Sequence, residues 1–238
     1  MKKHIPNTIT CCNLICGCIA TYFALQPAAR YDVALAFIIG GAVFDFFDGF
    51  LARLLHVSSP IGKELDSLAD DITFGFAPAA MVFSLLRETM PQAAASPVLS
   101  AIPFLAFLIA AFSALRLAKF NLDERQATSF IGLPTPANAL FWGALITGYH
   151  DTLTALPAAT WWLSGGVLCS SLLLVSEIPM FALKFKHFGW KGNALRYSFV
   201  LCSLVLLALQ GPKGFASVIV LYILVSVIAA FVQKSPRQ

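Results

Sequence analysis

The sequence predicts an all-α protein, a polytopic bundle of about eight membrane-spanning helices. Charged residues make up only 12% of the 238 residues, against about 25% in an average soluble domain. The hydrophobic fraction is 58% and the mean hydropathy is +0.79. Apolar runs of roughly 20 residues, the length that crosses a bilayer as a helix, recur along the whole chain. Together these observations predict an integral membrane protein.

Short loops connect the apolar runs, which leaves no room for a soluble domain. We therefore expect a single integral membrane domain over 1–238, with a core of 1–150 or longer and additional C-terminal spans over 159–233. The eight candidate spans lie roughly at 8–26, 31–53, 66–86, 97–118, 132–149, 159–179, 194–210 and 214–233.

The basic residues give the spans an orientation. If the N-terminus is cytoplasmic, thirteen of the sixteen basic residues fall on inner segments, and only Arg30, Arg87 and Lys213 fall outside. This asymmetry follows the positive-inside rule. It predicts a protein of a bacterial-type cytoplasmic membrane, with both termini and the acidic stretch 45–70 on the cytoplasmic side. Topology and anionic headgroups explain the net charge of +4, so no nucleic-acid partner is expected.

The acidic stretch departs from the apolar pattern, because six of the twelve acidic residues lie between positions 45 and 71. As helices, its two parts each place two aspartates on one face. A turn at 58–60 between them would bring four carboxylates together. Four like charges away from water require cations among them. The sequence thus predicts one or two divalent metal ions that hold a phosphate-containing substrate, with Asp45, Asp48, Asp66 and Asp70 as ligands.

Three other sets of residues each allow more than one interpretation. Arg116 and Lys119, three apart at an inner boundary, either snorkel as membrane anchors or bind a carboxylate or phosphate. Asn7 and Thr10 either cap the first helix or present polar groups to a ligand at the membrane surface. Asp71 lies about 100° around the helix from the preceding aspartate, so we expect it to face a cap, a partner subunit or the acceptor.

The acidic stretch reads D-x₂-D-G-x₂-A-R-x₈-G-x₃-D-x₃-D. In every position and spacing it resembles the signature of the CDP-alcohol phosphotransferase family, and eight fixed residues make a chance match rare. Within that family, the segments 62–79, 113–121 and 130–139 are similar to the phosphatidylserine synthases. The resemblance covers about the first 140 residues, and the spans after 159 add little to it. The fixed positions are Asp45, Asp48, Gly49, Ala52, Arg53, Gly62, Asp66 and Asp70.

The resemblance implies the fold of that family and a role for each motif residue. Asp45, Asp48 and Asp66 would be the core metal ligands, while Asp70 would close a second metal site and serve as general base. The cofactor would be a divalent cation, Mg²⁺ or Mn²⁺, with two ions per site. The nucleotide and diphosphate would be bound by Asn7, Thr10, Gly49, Ala52, Arg53 and Gly62. The candidates for binding serine are Arg116, Lys119 and Asn121.

The implied reaction is attack of the L-serine hydroxyl on the lipid-bearing phosphorus of CDP-diacylglycerol, with release of CMP and formation of phosphatidylserine. The resemblance also implies a homodimer among membrane lipids. Physical chemistry agrees with this reaction, because metal ions neutralise a diphosphate and an aspartate can accept the proton of the alcohol.

Three alternatives are compatible with parts of the sequence. A related enzyme could use glycerol 3-phosphate or inositol phosphate, but a dianionic acceptor calls for several basic side chains near the site. An aspartate-rich prenyltransferase would show a second acidic cluster, and none follows residue 71. An ion-coupled transporter would carry acids near the bilayer midplane and a repeated half.

Overall fold

The chain folds into a helical bundle, in a computed structural model that describes residues 4–57, 59–90, 97–123, 130–181, 189–190 and 193–234. The predicted fold class is confirmed. Among the described residues, the only strands are the two-residue β1 and β2, which pair antiparallel with Phe130 opposite Met180. The helices are α1 His4–Ala24, α2 Tyr31–Leu54, α3 Pro60–Asp70, α4 Ala77–Thr89, α5 Pro97–Ser100, α6 Leu108–Leu122, α7 Thr135–Ala155, α8 Ala159–Val175, α9 Ala194–Gln210 and α10 Gly214–Lys234; the strands are β1 Phe130–Ile131 and β2 Pro179–Met180.

Short non-α segments connect several of these helices. The helices α3 and α4 continue as one rod, whereas α9 and α10 fold back on each other and bring the Phe199 and Tyr222 rings to 6.0 Å. A π-helical segment at Asp71–Phe76 links α3 to α4, and 3₁₀ turns at Ile102–Phe107 and Gly211–Lys213 link α5 to α6 and α9 to α10. Five of the resulting stretches are long and apolar enough to cross a membrane, and α8 is a shorter apolar helix. These stretches are His4–Ala24, Tyr31–Leu54, Pro60–Thr89, Pro97–Leu122 and Ala194–Ala230. The helix α7 forms in the fifth predicted span but does not belong to this apolar set.

The turn before α3 is built by local sequence. Ser59 is extended, and its hydroxyl accepts a hydrogen bond from the Gly62 backbone N–H, which is an N-cap. Pro60 follows at the first helical position, where a missing N–H costs nothing. The α2 helix therefore ends before this turn, and a new helix, α3, begins after it. This helix carries the second pair of motif aspartates.

The apolar core lies around α4, whose residues Ala79, Met81, Val82 and Leu85 are fully buried. Trp142 of α7 joins the same core, and its indole N–H donates to the Ser170 hydroxyl at 3.1 Å. Because α4 continues α3 through the π-helical segment, this core anchors the rod that carries the acidic residues.

Close packing joins α1 to the π-helical segment. A Cβ at Gly17 would lie 2.7 Å from the Thr73 Cα, and a Cβ at Gly41 would lie 2.8 Å from Asn13 Oδ1. Such distances are shorter than any side chain tolerates, so only glycine permits this approach. The Thr73 hydroxyl then donates to the Asn13 carbonyl at 2.9 Å. These contacts hold α1 and α2 tightly against the π-helical segment.

Candidate metal centre and substrate cleft

Three of the four predicted metal ligands converge. One carboxylate oxygen from each of Asp45, Asp48 and Asp66 lies within 4.8 Å of the other two. Asp45 and Asp48 stand one turn apart on α2, and α3 brings Asp66 to them across the turn at Ser59. Three carboxylates at this separation repel one another unless a cation lies between them.

The donor set fits a hard divalent cation. All three groups are carboxylates, the ligands that Mg²⁺ and Mn²⁺ prefer. Asp66 Oδ1 is buried and has no hydrogen-bond partner, which is costly for an anionic oxygen unless a cation binds it. Asp48 is 6% exposed, and the Thr10 hydroxyl donates to its Oδ2 at 2.6 Å. That hydrogen bond fixes the orientation of one ligand, as outer contacts do in metal sites.

Asp70 stands beside this trio with a partner of its own. The Asn13 side-chain amide donates to Asp70 Oδ1 at 3.1 Å. Asp70 also lies within electrostatic range of Asp45 and Asp66. The structure thus separates the fourth motif aspartate from the three that approach most closely, and its predicted double role as metal ligand and base stays a prediction.

Asn13 is a site residue that the sequence analysis missed. It is fully buried and bonds Asp70 through its amide. A signal was present, because Asn7, Thr10 and Asn13 recur every three residues and so follow one side of α1. In an apolar helix such a polar row is unusual, and two of its members had already been singled out.

A cleft of about 260 Å³ opens beside the carboxylates. Asp48 and Asp66 form part of its wall, and five of the six predicted nucleotide-binding residues line the remainder. Gly62 is necessary to its shape, because a Cβ there would lie 3.1 Å from Asn7 Oδ1. The five predicted residues are Asn7, Thr10, Gly49, Ala52 and Gly62, and the other lining residues are Pro6, Val57, Ser59 and Lys63.

The sixth predicted nucleotide-binding residue, Arg53, is exposed and lies next to the cleft. Its Nη1 is 3.6 Å from the place that a Cβ at Gly49 would occupy. The guanidinium therefore covers the glycine on the rim rather than lining the cavity. From there it is able to reach an anionic ligand that protrudes from the cleft.

The predicted serine-binding residues lie toward the C-terminal end of α6. Arg116 and Lys119 line a second cavity of about 380 Å³. Arg116 is 7% exposed, and it lies within electrostatic range of Asp70. Asn121 has another contact, since its amide donates to the Ser67 hydroxyl at 2.8 Å and its carbonyl accepts from Lys63 at 3.0 Å. Asn121 thus ties α6 to α3, and its role toward serine stays a prediction.

The fold and the site define a class of protein, an integral membrane protein with a candidate divalent-cation site. Its long apolar helices bring three carboxylates to the edge of a polar cleft. The chain belongs to the CDP-alcohol phosphatidyltransferase family, whose sequence model matches residues 3–175. The chain is therefore a transferase of that family, as its motif indicated. Membership in the family decides against the prenyltransferase and transporter alternatives.

Several similar proteins share the name CDP-diacylglycerol–serine O-phosphatidyltransferase. The chain is 35% identical to the one from Bacillus subtilis over 186 residues, which are 78% of this chain and 92% of that protein. It is 32% identical to the one from Mycobacterium leprae over 188 residues, covering 74% of this chain and 57% of that protein. The one from Saccharomyces cerevisiae is 39% identical over 151 residues, covering 56% of this chain and 50% of that protein.

Proposed function

We propose that this protein transfers the phosphatidyl group of CDP-diacylglycerol to the hydroxyl of L-serine and releases CMP. One observation supports this most directly: Asp48 and Asp66 form part of the wall of a cleft that the small motif residues Gly49, Ala52 and Gly62 also line. Such a cleft is able to hold a diphosphate against bound cations. The serine acceptor is supported by the names of the relatives that match over more than half of the chain.

The carboxylates of Asp45, Asp48 and Asp66 would hold one divalent cation, and Asp70 would close a second site. Bound Mg²⁺ or Mn²⁺ neutralises the charge of a diphosphate and makes its phosphorus more electrophilic. Thr10 keeps the Asp48 carboxylate in place through its 2.6 Å hydrogen bond. Gly49 and Gly62 leave the space in which the nucleotide and the diphosphate lie, and Arg53 orders the rim.

Asp70 is the proposed general base. Asn13 holds one oxygen of its carboxylate, which orients the group toward the acceptor. In the reaction, the serine hydroxyl proton passes to Asp70 as the serine oxygen bonds to the lipid-bearing phosphorus. The bond from that phosphorus to the oxygen of the CMP moiety breaks, and CMP departs with its phosphate intact. No covalent enzyme intermediate is required.

Arg116 is the proposed contact for the serine carboxylate. Its guanidinium is buried, so a charge-assisted hydrogen bond to a carboxylate is stronger there than in water. It also lies within electrostatic range of the proposed base, so the acceptor would lie between the two groups. Lys119, on the wall of the same cavity, adds a second cation at its mouth.

The proposal includes an arrangement in the membrane. We place the active site and both termini on the cytoplasmic side, because the basic residues favour that orientation, and serine and CMP are water-soluble. We also propose a single membrane domain over 1–238 and a homodimer. Cross-linking in membranes and the accessibility of single introduced cysteines to an impermeant thiol reagent test the dimer and the orientation.

The central experiment measures CMP release by the purified protein from CDP-diacylglycerol with Mn²⁺ and a panel of alcohols. We expect release to depend on L-serine and on the metal, and a chelator to abolish it. Faster release with glycerol 3-phosphate or inositol phosphate would replace serine by a phosphorylated acceptor while leaving the family chemistry intact. Metal-independent release would contradict the role given to the carboxylates.

A further inference from the structure

A third cavity lies between α7, α8 and α10. Its volume is about 330 Å³, roughly twice that of an engineered apolar cavity that takes up benzene. Aliphatic and aromatic side chains form most of its walls, and no charged side chain lines it among the described residues. It shares no lining residue with the cleft beside the carboxylates or with the second cavity. This space therefore needs an occupant of its own.

The cavity is long and narrow. On α8 its lining extends from Ala159 to Leu173, a rise of about 21 Å at about 1.5 Å per residue. That length exceeds the hydrocarbon thickness of one leaflet, about 15 Å. A volume of about 330 Å³ spread over such a length suits one hydrocarbon chain better than a ring system or a pair of chains.

The rim of the cavity faces the bilayer. Trp162 and Cys169 of α8 and Leu224 of α10 line the cavity, and all three are exposed. Exposed apolar side chains on membrane helices contact lipid. An apolar chain therefore reaches this cavity from the bilayer rather than from water.

One polar side chain in the wall has no partner. Asn138 is fully buried, and neither its Nδ2 nor its Oδ1 is hydrogen-bonded. The Ser170 hydroxyl in the same wall, by contrast, accepts from the Trp142 indole N–H at 3.1 Å and donates to the Val167 carbonyl at 3.2 Å. Buried amides are normally paired, and an unpaired one is destabilising. The Asn138 amide thus indicates an occupant that brings both a donor and an acceptor.

The unpaired amide lies near one membrane face. Asn138 is in the first turn of α7, and the preceding Leu133 N–H donates to the Leu173 carbonyl at the end of α8. The ends of α6 and α8 border the second cavity, where Arg116 is within electrostatic range of Asp70. The amide is therefore on the side of the membrane that carries the carboxylates. A lipid with its polar end there extends its chain toward the start of α8, as a lipid of that leaflet does.

We propose that this cavity binds a long-chain fatty acid in its protonated form. A protonated carboxyl group has an O–H donor beside a C=O acceptor. The O–H donates to Asn138 Oδ1 and the C=O accepts from Nδ2, so one head group satisfies the whole amide. A neutral head also agrees with walls that offer no cation among the described residues. The site is separate from the catalytic cleft and does not depend on the proposed function.

The test uses the fluorescence of Trp142, which lines the cavity and is 1% exposed. Bromine on an acyl chain quenches a tryptophan that it contacts. Lipid around the protein does not reach Trp142, whereas a chain in the cavity does. The other three tryptophans are exposed and are replaced by Phe, and the protein is reconstituted in phosphatidylcholine nanodiscs. These three are Trp161, Trp162 and Trp190.

Three brominated probes distinguish the possible occupants. We expect dibromostearic acid to quench Trp142 saturably. Its methyl ester, which lacks the O–H donor, should bind about tenfold more weakly, because Asn138 Oδ1 stays unpaired. Phosphatidylcholine with brominated chains should quench Trp142 little at any membrane content. Equal affinity for the acid and the ester, quenching by the phosphatidylcholine as strong as by the acid, or no quenching by any probe would each overturn the proposal.

Asn138→Leu tests the role of the amide directly. Leucine has a similar volume but removes both hydrogen bonds, so the tenfold preference for the acid over the ester should disappear while the ester still quenches Trp142. A preference that survives in this variant would contradict the proposal. If Asn138→Leu does not fold, the comparison of the three probes with Asn138 in place still decides the matter.

Two neighbouring glycines of α8 supply a matched pair of variants. Gly166 lines the cavity, and a Cβ there would lie 3.1 Å from the edge of the Trp142 ring. Gly165 does not line it, and a Cβ there would meet no atom within 4 Å. Gly166→Leu should therefore abolish quenching by the acid, measured against the variant's own unquenched emission, and Gly165→Leu should leave it unchanged. Equal quenching in the two variants would show that the acid binds elsewhere.

Discussion

The N-terminal helices of this protein and helix α9 bury different chemistry. Helices α1 to α3 and the π-helical segment bury Thr10, Asn13, Asp48 and Thr73. In α9, by contrast, the one buried residue is Phe199, and most of its apolar side chains are exposed. Polar groups withdrawn from water need partners, whereas exposed apolar side chains in a membrane protein contact lipid. The residues of the candidate metal centre all lie in the first half of the chain, and the family match, which ends at residue 175, covers them.

Glycine shows the same contrast. Gly17 is closed in by the backbone of Thr73, whereas Gly165 of α8 and Gly211 after α9 have no neighbouring atom within 4 Å of where a Cβ would be. Gly17 permits contact between helices, whereas Gly165 faces open space and Gly211 permits an unusual backbone angle. Equal substitutions at these positions must therefore have unequal consequences.

The largest effect is expected from Asp66→Asn. Loss of a direct ligand should exceed the roughly 10- to 100-fold cost of changes in outer contacts, so Mn²⁺ affinity should collapse and CMP release should fall to background. Mn²⁺ binding by titration calorimetry and CMP release measure the two effects separately. Glu64→Gln, an exposed acid on the same helix, is the matched control. Wild-type Mn²⁺ affinity in Asp66→Asn would contradict the assignment of the metal centre.

Asp70→Asn should lower turnover far more than donor binding. Proton transfer by a positioned base contributes about 10²- to 10⁴-fold, and Asn13 would still hold the substituted side chain in place. We expect CDP-diacylglycerol binding to stay nearly intact while CMP release falls by that factor. Donor binding and single-turnover CMP release separate the two quantities. Normal turnover in this variant would remove the base assignment.

Most residues of this site could be predicted from the sequence. Residues and elements whose role depends on a contact between distant parts of the chain could not. Helical spacing was enough to place Asp45 with Asp48 and to bring Asp66 to them, because local periodicity and the Ser59 turn decide those positions. Asn13 was missed because its partner Asp70 lies 57 positions away, and no residue near Asn13 in the sequence indicates that contact. The π-helical segment was missed for a similar reason, since no residue type in DITFGF specifies it.

The membrane spans and the residues around the carboxylate cluster show how far prediction from sequence reaches. Spans were located to within a few residues because apolar runs are a strong signal. Asn121 was assigned to serine from its place in a motif, whereas its side chain in the structure bonds Ser67. Motif membership shows that a residue matters to the site, but only the fold shows which neighbour it contacts.

Gly17→Ala tests the close packing in the N-terminal region. The added Cβ would meet the Thr73 backbone, which cannot move away as a flexible side chain would. Overpacking of this kind costs about 1 to 3 kcal/mol, and displacement of the segment next to Asp70 should lower turnover about 10-fold. Gly40→Ala is the matched control, because its Cβ would lie 3.8 Å from Cys16 Sγ, an ordinary contact. Apparent melting temperature in detergent and CMP release should both fall in the first variant and neither in the second.

Gly211→Ala should have the smallest effect on activity. Gly211 has φ +60° and ψ −141°, a conformation that favours glycine, and open space surrounds it, so strain is the only cost of the substitution. Such strain is about 1 to 3 kcal/mol and is confined to the turn between α9 and α10. The apparent melting temperature should therefore fall, while CMP release below that temperature stays within about twofold of wild type. Gly165→Ala lies in a helix where alanine is favoured over glycine by about 1 kcal/mol, and it should leave both quantities unchanged or raise the first. A large loss of turnover in Gly211→Ala would show that the C-terminal helices contribute to the site, because strain so far from the carboxylates reaches the chemistry only if α9 and α10 help to shape it.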